Sequence, residues 1–379
     1  MDAMTNGTSA PPPPVSKLVV VKRVAYFIIA ITAILGNLLV ATYFYQNRKV
    51  LLKKTYYVIL LALSLTDIMT AIFLIATPAF LFDSGMQEPT NRIALLIYCK
   101  VLWGRLLLFI FGVASVYLIL LLTVDRWIAV VKYTKYKTLM NRGRVIKGIA
   151  LSYFLGVLFI LPSHPNVKVY PDRPSGQKCS FVGTPHLKVT VTINFFGKAV
   201  FPFLAVAVMY AQIVYKIKVT SGVMNQQQSN KEHRKRITRI AFISSFAILF
   251  CWLPNQINLL LFAYQMSSVQ SSFHDFTVGL VFLTSCINPF LYGLTSKKFR
   301  KGYVNTLQSF TSCTQTVSVT ASSSQVGPAC ERSAPRDDDV KQDQGCSMTK
   351  FAMSPLASTV PTKPVSPAEN PDNQGFDMI

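Results

Sequence analysis

Long blocks of apolar residues divide this sequence, and no other feature limits its fold so strongly. The first, Val24–Gln46, contains no charged side chain. As a helix rising about 1.5 Å per residue it covers the ~30 Å hydrocarbon core of a bilayer. Further blocks span Thr55–Phe82, Cys99–Val131, Val145–Leu161, Val189–Ile217, Arg234–Tyr264 and Asp275–Leu294, the fourth being the shortest. Hydrocarbon offers backbone N–H and C=O groups no water, so helices, whose bonds are internal, are the expected form. The expectation is an all-α membrane protein built as a seven-transmembrane helix bundle.

A soluble chain of 379 residues would hold about two or three domains. One that is 51% hydrophobic and 14% charged has more apolar surface than a water-soluble core takes up. The net charge of +22 raises the question of nucleic acid, whose binders carry basic stripes with interleaved aromatics. Here the basic residues fall between the apolar blocks instead, and no nucleic-acid partner is expected. They gather after the first, third, fifth and seventh blocks, over residues 48–54, 132–147, 216–239 and 297–301, and are sparse in the alternate connections. Lysine and arginine mark the cytoplasmic side, which predicts a cell-membrane protein with an extracellular N-terminus and a cytoplasmic C-terminus. The seven cysteines include no C-x-x-C pair and offer no zinc framework.

The third block ends in Thr123-Val124-Asp125-Arg126-Trp127. A charge inside a membrane costs ~2.5–3.5 kcal/mol on insertion scales, so an acid–base pair there either snorkels to the headgroups or lines a polar interior with a task to perform. Its company decides. Gly36-Asn37 stands in the first block, Leu63-Ser64-Leu65-Thr66-Asp67 in the second, Cys251-Trp252-Leu253-Pro254 in the sixth and Asn288-Pro289-Phe290-Leu291-Tyr292 in the seventh. In this order the motifs resemble the rhodopsin-like (class A) family of G-protein-coupled receptors, and within it the peptide-receptor-like subgroup, from Val24 to Leu307.

The resemblance implies a switch formed by Asp125, Arg126, Tyr210, Trp252, Pro254, Asn288, Pro289 and Tyr292. Trp252 floors the ligand pocket, the sixth helix swings outward below it, and Tyr210 and Tyr292 turn towards Arg126 to open a cleft for a heterotrimeric G protein. Pro202, Pro254 and Pro289 each remove a helix hydrogen bond and permit a kink. Asp67, Ser115 and Asn288 stand where family members hold sodium, and oxygen ligands suit such a hard cation; no other cofactor is expected. Arrestin, receptor kinases and membrane lipids are further implied partners. Cys99 and Cys179 resemble the family's extracellular disulfide. Yet Cys99 lies about two residues too far from Arg126, and two residues turn a helix by ~200°. The bridge forms only if Cys99 precedes the helix or a bulge absorbs the difference. Other departures are Trp127 after the Asp-Arg pair, Tyr133 and Thr134 in the second inner loop, Arg234 where some members place an acid that pairs with Arg126, Ile248 above Trp252, and Tyr153 in the fourth helix.

Leu108 occupies the place of the acid that a monoamine receptor needs, and Phe282 that of the lysine that an opsin needs. The ligand-binding candidates are Arg105, Leu108, Phe109, Asn194, Lys198, Trp252, Asn255, Gln256, His274 and Asp275. Lys198, inside the fifth block, either snorkels outward or is paired in the pocket. With Arg105 and the loop residues Lys168, Arg173 and Lys178 it makes the entrance electropositive, favouring a ligand with acidic groups. The second outer loop has room for a β-hairpin around a Pro/Gly turn. A neuropeptide is the expected ligand; a small anionic, lipid or odorant ligand is the alternative.

Residues 1–23 form the expected extracellular N-terminus, with an N-glycosylation sequon at Asn6 and the extended run Pro11–Pro14, and residues 24–307 form the receptor domain. No cleavable leader is expected, because the first apolar block begins only at Val24, after the proline run, and that helix is expected to direct insertion itself. Phe299, Tyr303 and Leu307 recur at helical spacing against a basic face, which predicts an amphipathic helix on the cytoplasmic membrane surface. Cys313 is either palmitoylated or a plain thiol. Residues 308–379 are expected to be a disordered tail. A transporter would show repeated halves with broken helices, and an intramembrane enzyme a nucleophile or metal cluster; neither pattern is visible.

Overall fold

A computed structural model of the chain describes residues 17–81, 88–162, 167–174, 177–183, 185–221, 228–268, 271–295 and 299–308. Asn6, Pro11–Pro14, Cys313 and the rest of the expected tail lie outside the described residues. Seven helical spans among those described are long and apolar enough to cross a membrane. Their main helices are α1 (Lys17–Gln46), α2 (Thr55–Ala76), α3 (Leu106–Val131), α4 (Arg142–Ile160), α5 (Phe201–Ser221), α6 (Gln228–Ala263) and α7 (Ser272–Thr295). A shorter helix, α8, covers residues 299–308.

Helix ends follow local chemistry rather than the edges of the apolar blocks. Helix α1 is already formed at Lys17, ahead of the apolar block at Val24, because a helix can continue beyond the hydrocarbon. Helix α2 stops at Ala76, short of Phe82: Thr77 precedes Pro78, whose ring disfavours the α conformation before it, and Thr77 is extended at φ −82, ψ 116. Asn141 caps α4, its side chain accepting from the Arg144 N–H at 2.9 Å.

The third span is the most irregular. Asn91 caps its first turns by accepting from the N–H groups of Ile93 (2.9 Å) and Ala94 (3.2 Å). An α-helical Arg92–Ile97 then widens into π-helical Tyr98–Trp103. Gly104 and the left-handed Arg105, at φ 60, separate this wide turn from α3. The span therefore begins at Arg92 rather than Cys99, and its bulge absorbs the register difference: Cys99 is bonded to Cys179 with the Cα atoms 5.4 Å apart. Cys179 begins β2 (Cys179–Phe181), which pairs antiparallel with β1 (Val167–Val169), so the disulfide pins the expected hairpin to the outer end of the third span. Trp103 packs on Phe181 at 4.7 Å.

Helix α3 lies at the centre, packed against α2, α4, α5 and α6. Leu35, Leu38, Phe154, Leu158, Leu204, Val208 and Phe290 are exposed on the outer faces, an apolar surface suited to lipid. Helix α8 docks through Phe299, buried among Tyr43, Phe44, Tyr57 and Tyr292 at ring separations of 5.5 to 6.3 Å. Backbones approach closest where side chains are absent. A Cβ on Gly156 of α4 would lie 2.6 Å from the Ile110 carbonyl oxygen of α3, and one on Gly36 would lie 3.0 Å from Pro289 Cγ. The α3 backbone cannot move aside as a side chain could. Gly156→Ala is therefore expected to destabilise the protein by about 1–3 kcal/mol, read as a lower melting temperature in detergent or nanodiscs. Gly143→Ala on the same helix, whose Cβ would meet nothing closer than 3.6 Å, should leave it unchanged.

Candidate functional site

The polar residues picked out from the sequence converge along the bundle interior. Towards the C-terminal end of α3, Asp125 and Arg126 are both buried, at 0% and 4% exposure. Neighbours on a helix point apart, but the Arg126 guanidinium folds back onto the Asp125 carboxylate, with Nε donating to Oδ2 at 2.8 Å and Nη2 to the same oxygen. The other carboxylate oxygen accepts from Thr55 Oγ1 of α2 (3.1 Å) and Tyr136 Oη of the second inner loop (2.9 Å). Arg126 Cζ also lies 4.5 Å from the centre of the Tyr56 ring. Burial and the adjacent Asp125 raise the Tyr136 phenol above its usual pKa, which keeps the proton it donates. Among the described residues, Arg126 is thus fastened from α2 and the inner loop. The Arg234 side chain is outside the described residues. Trp127 donates from its indole to Gln212 of α5 at 2.6 Å, with Lys132 over its ring.

In mid-membrane, Asp67 is 1% exposed. Ser115 of α3 donates to its Oδ1 and Asn288 of α7 to its Oδ2, each at 2.8 Å, so the expected trio does come together. Asn288 Oδ1 remains buried without a partner, leaving an oxygen free for a cation beside the carboxylate. These donors fit sodium. Asn37 donates to the Ala33 and Ser285 carbonyls (3.0 and 2.8 Å), tying α1 to α7 one turn before Pro289. The Tyr292 hydroxyl is also buried without a partner. Tyr210 is buried with its ring edge-on to Phe242 at 4.9 Å.

Trp252 lies in the core with Ile248, 3% exposed and its indole N–H unpaired, on the α6 turn that contains Pro254. Its six-membered ring fills the space over Gly112, where a Cβ would be 3.2 Å away. Leu108 is buried and Phe109 partly so. Asn255 reaches Thr277 and Gln256 reaches Asn255, both at 3.4 Å. Asn258 lies 2.9 Å from His274 Nδ1. Asp275 pairs with Lys22 of α1 at 3.0 Å, and Tyr26 donates to its backbone carbonyl at 3.0 Å. Arg105 Cζ lies 4.9 Å from the centre of the Phe80 ring. Asn194 and Lys198, on the outer part of the fifth span, are both buried. Lys198 sits in a second π-helical stretch, Phe196–Val200. It does not snorkel, and no described residue pairs with it.

Thr55, Tyr136, Gly112, Lys22, Tyr26 and Phe80 were not picked out from the sequence. Each acts through a distant partner, and its residue type alone carries no signal. Cys286 donates to the Ile29 carbonyl at 3.1 Å, consistent with a packing role. Tyr153, in place of the usual tryptophan of α4, meets Thr66 at 2.6 Å.

Comparison with known proteins agrees with this geometry. Residues 36–292 match the model of the 7 transmembrane receptor (rhodopsin family). Neurotensin receptor type 1 of Mus musculus is 27% identical over 226 residues, covering 49% of this chain and 53% of the relative. Somatostatin receptor type 4 of Rattus norvegicus is 29% identical over 197 residues, covering 51% and 50%. Neuromedin-U receptor 2 of Mus musculus is 24% identical over 212 residues, covering 51% and 53%. The chain spans about half the length of the curated relatives it matches. These relatives are receptors rather than enzymes, so the intramembrane-enzyme alternative falls away. With its seven apolar spans and its Cys99–Cys179 bridge, the chain belongs to the rhodopsin family of seven-transmembrane receptors.

Proposed function

We propose that the protein is a cell-surface receptor that binds an extracellular peptide and activates a heterotrimeric G protein. The observation that carries this reading is the closed cluster of Asp125, Arg126, Thr55 and Tyr136 at the end of α3. A buried ion pair with few ways to be satisfied has two discrete arrangements: held inward, or opened to a partner that replaces its contacts. A ligand that favours the open arrangement shifts the population towards it by its difference in affinity for the two. Movement of α6 about Pro254, under Trp252, would free Arg126 for the G protein, with Tyr210 and Tyr292 replacing its former contacts. The Tyr292 hydroxyl, buried and unpaired, is available for that exchange. The peptide class is supported by the relatives, whose names are those of neurotensin, somatostatin and neuromedin-U receptors, and by the hairpin at the outer entrance. In this reading the N-terminus is extracellular and glycosylated at Asn6, and the C-terminus is cytoplasmic. Residues 1–23 precede the receptor domain and the tail beyond 308 takes receptor kinases and arrestin, with Cys313 acylated into the membrane.

Sodium at Asp67, Ser115 and Asn288 would hold the resting arrangement by tying α2, α3 and α7 around one charge. The expected consequence is that replacing sodium by choline raises ligand-free nucleotide exchange in the unaltered protein but has no effect in Asp67→Asn, which loses the anionic ligand. Equal responses in both would remove the ion from the mechanism.

At matched surface expression, Arg126→Ala should abolish G-protein activation and Asp125→Asn should raise it without ligand. Tyr136→Phe deletes the hydroxyl's bond to Asp125 together with its contacts to Thr55 and Arg126; at about 1 kcal/mol for the Asp125 bond alone, it should raise basal exchange by at least about fivefold while leaving maximal activation intact. No change in any of the three, measured across G-protein subtypes, would refute coupling through this cluster.

A further inference from the structure

The buried charged side chains among the described residues are Asp67, Glu88, Asp125, Arg126 and Lys198. The first four are satisfied. Asp67 accepts from Ser115 and Asn288, and Glu88 from the Lys178 backbone N–H at 3.3 Å. Asp125 and Arg126 hold each other. Lys198 is 7% exposed and has no hydrogen bond or ion pair with any described residue. Its Nζ is not fully enclosed, so an ammonium that the described residues leave unpaired can still be reached by an outside group.

The cations nearer the outer surface differ from it. Lys22 pairs with Asp275, Lys100 donates to the Val167 carbonyl, and Arg105 lies over Phe80. Arg173 lies over Tyr170 and Lys188 over Tyr264. Each already has an acceptor or an aromatic face, Arg105 by its ring contact alone, since its Nε is buried without a hydrogen bond. An acidic ligand group that met them would have to displace something.

The backbone around Lys198 is built to hold it inward. It belongs to the π-helical Phe196–Val200, and single π turns inside helices recur at functional sites because the extra residue re-aims its neighbours. The turn is fixed from both sides. Tyr117 of α3 donates to the Gly197 carbonyl at 2.7 Å, and Phe159 at the end of α4 comes so close that a Cβ on Gly197 would be 2.2 Å from its ring. The Tyr117 and Phe159 rings stack on each other at 6.0 Å, and the π turn also packs against α6. A regular helix, one residue shorter here, would rotate Lys198 by ~100° away from this position.

We infer that Lys198 is the recognition point for an anionic group of the ligand, a carboxylate, that enters past the paired cations of the rim and becomes the counter-ion the protein itself does not supply. This deepens the peptide-receptor reading and rests on it: the ligand's acid, a C-terminal carboxylate or an Asp/Glu side chain, is the part buried deepest in the fifth-span wall.

The test uses the full chain in lipid nanodiscs and does not depend on G-protein coupling. Reductive methylation with formaldehyde and borohydride is followed at Lys198 by peptide mass spectrometry, with indole-3-acetate and indole-3-acetamide as matched probes. The acid is expected to slow modification of Lys198 at least threefold, the amide is not, and exposed Lys168 should be slowed by neither. The acid should also raise the melting temperature of the unaltered protein and of Lys198→Arg but not of Lys198→Met. Lys198→Met should itself fold, and melt no lower than the parent, because it removes an unpaired charge. Equal protection by acid and amide, no protection by either, or an acid-induced shift that survives in Lys198→Met would overturn the assignment. Protection in a protein that activates no G protein would sink the receptor mechanism and leave the anion site standing; activation without protection would do the reverse.

Discussion

A charge taken out of water must be given back what water supplied, and this constraint arranges most of the bundle. Breaking a buried pair by removing one partner costs ~3–5 kcal/mol, far more than any single apolar contact. The structure answers it at two depths by bringing different helices to one carboxylate. Asp67 gathers α3 and α7 onto α2. Asp125 gathers Arg126, α2 and the second inner loop onto α3. Helix packing in lipid has little hydrophobic drive of its own, so these polar contacts and the close approaches at Gly36 and Gly156 set which helices touch and how nearly.

The two π-helical stretches solve a different problem. A helix offers each residue one direction, fixed by its place in the count. Inserting a residue at Tyr98–Trp103 lets Cys99 reach the hairpin while Asp125 and Arg126 keep their inward direction many turns below. The stretch at Phe196–Val200 turns Lys198 inward while the residues beyond Phe201 remain in regular helix. Both lie at the end of the bundle that carries the hairpin, where they set the shape of the entrance, and among the described residues the opposite end has no π-helical stretch.

Much of this was legible in the sequence. The apolar blocks gave the seven spans because their length is set by the bilayer; Asp67, Asp125 and Arg126 stood out because charge is rare in such blocks, while Ser115 and Asn288 were reached through the resemblance to the receptor family. What escaped was whatever depends on register or on a second chain segment. Nothing in Tyr136 or Thr55 announces that each will meet Asp125, since one is a loop tyrosine and the other a helix-end threonine. The missing acid at Arg234 suggested an Arg126 without restraint, and only the spatial arrangement reveals restraint from the opposite side. The Cys99 offset could be recognised as two residues, but choosing between a late helix start and a bulge required the backbone. Lys198 was visible as an anomaly, while its direction was settled by Gly197, a residue whose importance lies in the side chain it lacks.

The pairing of Lys22 with Asp275, backed by Tyr26 on the Asp275 carbonyl, joins the outer turns of the first and seventh helices. Tyr26 also meets Phe80 and Phe282 edge-on at 5.2 and 6.0 Å, so the ionic tie continues inward as an aromatic wall. A seam closed by an ion pair and edge-on rings resists parting more than one closed by loose apolar contacts, and a wall that stays shut towards lipid suits the proposed ligand, a peptide that travels in water.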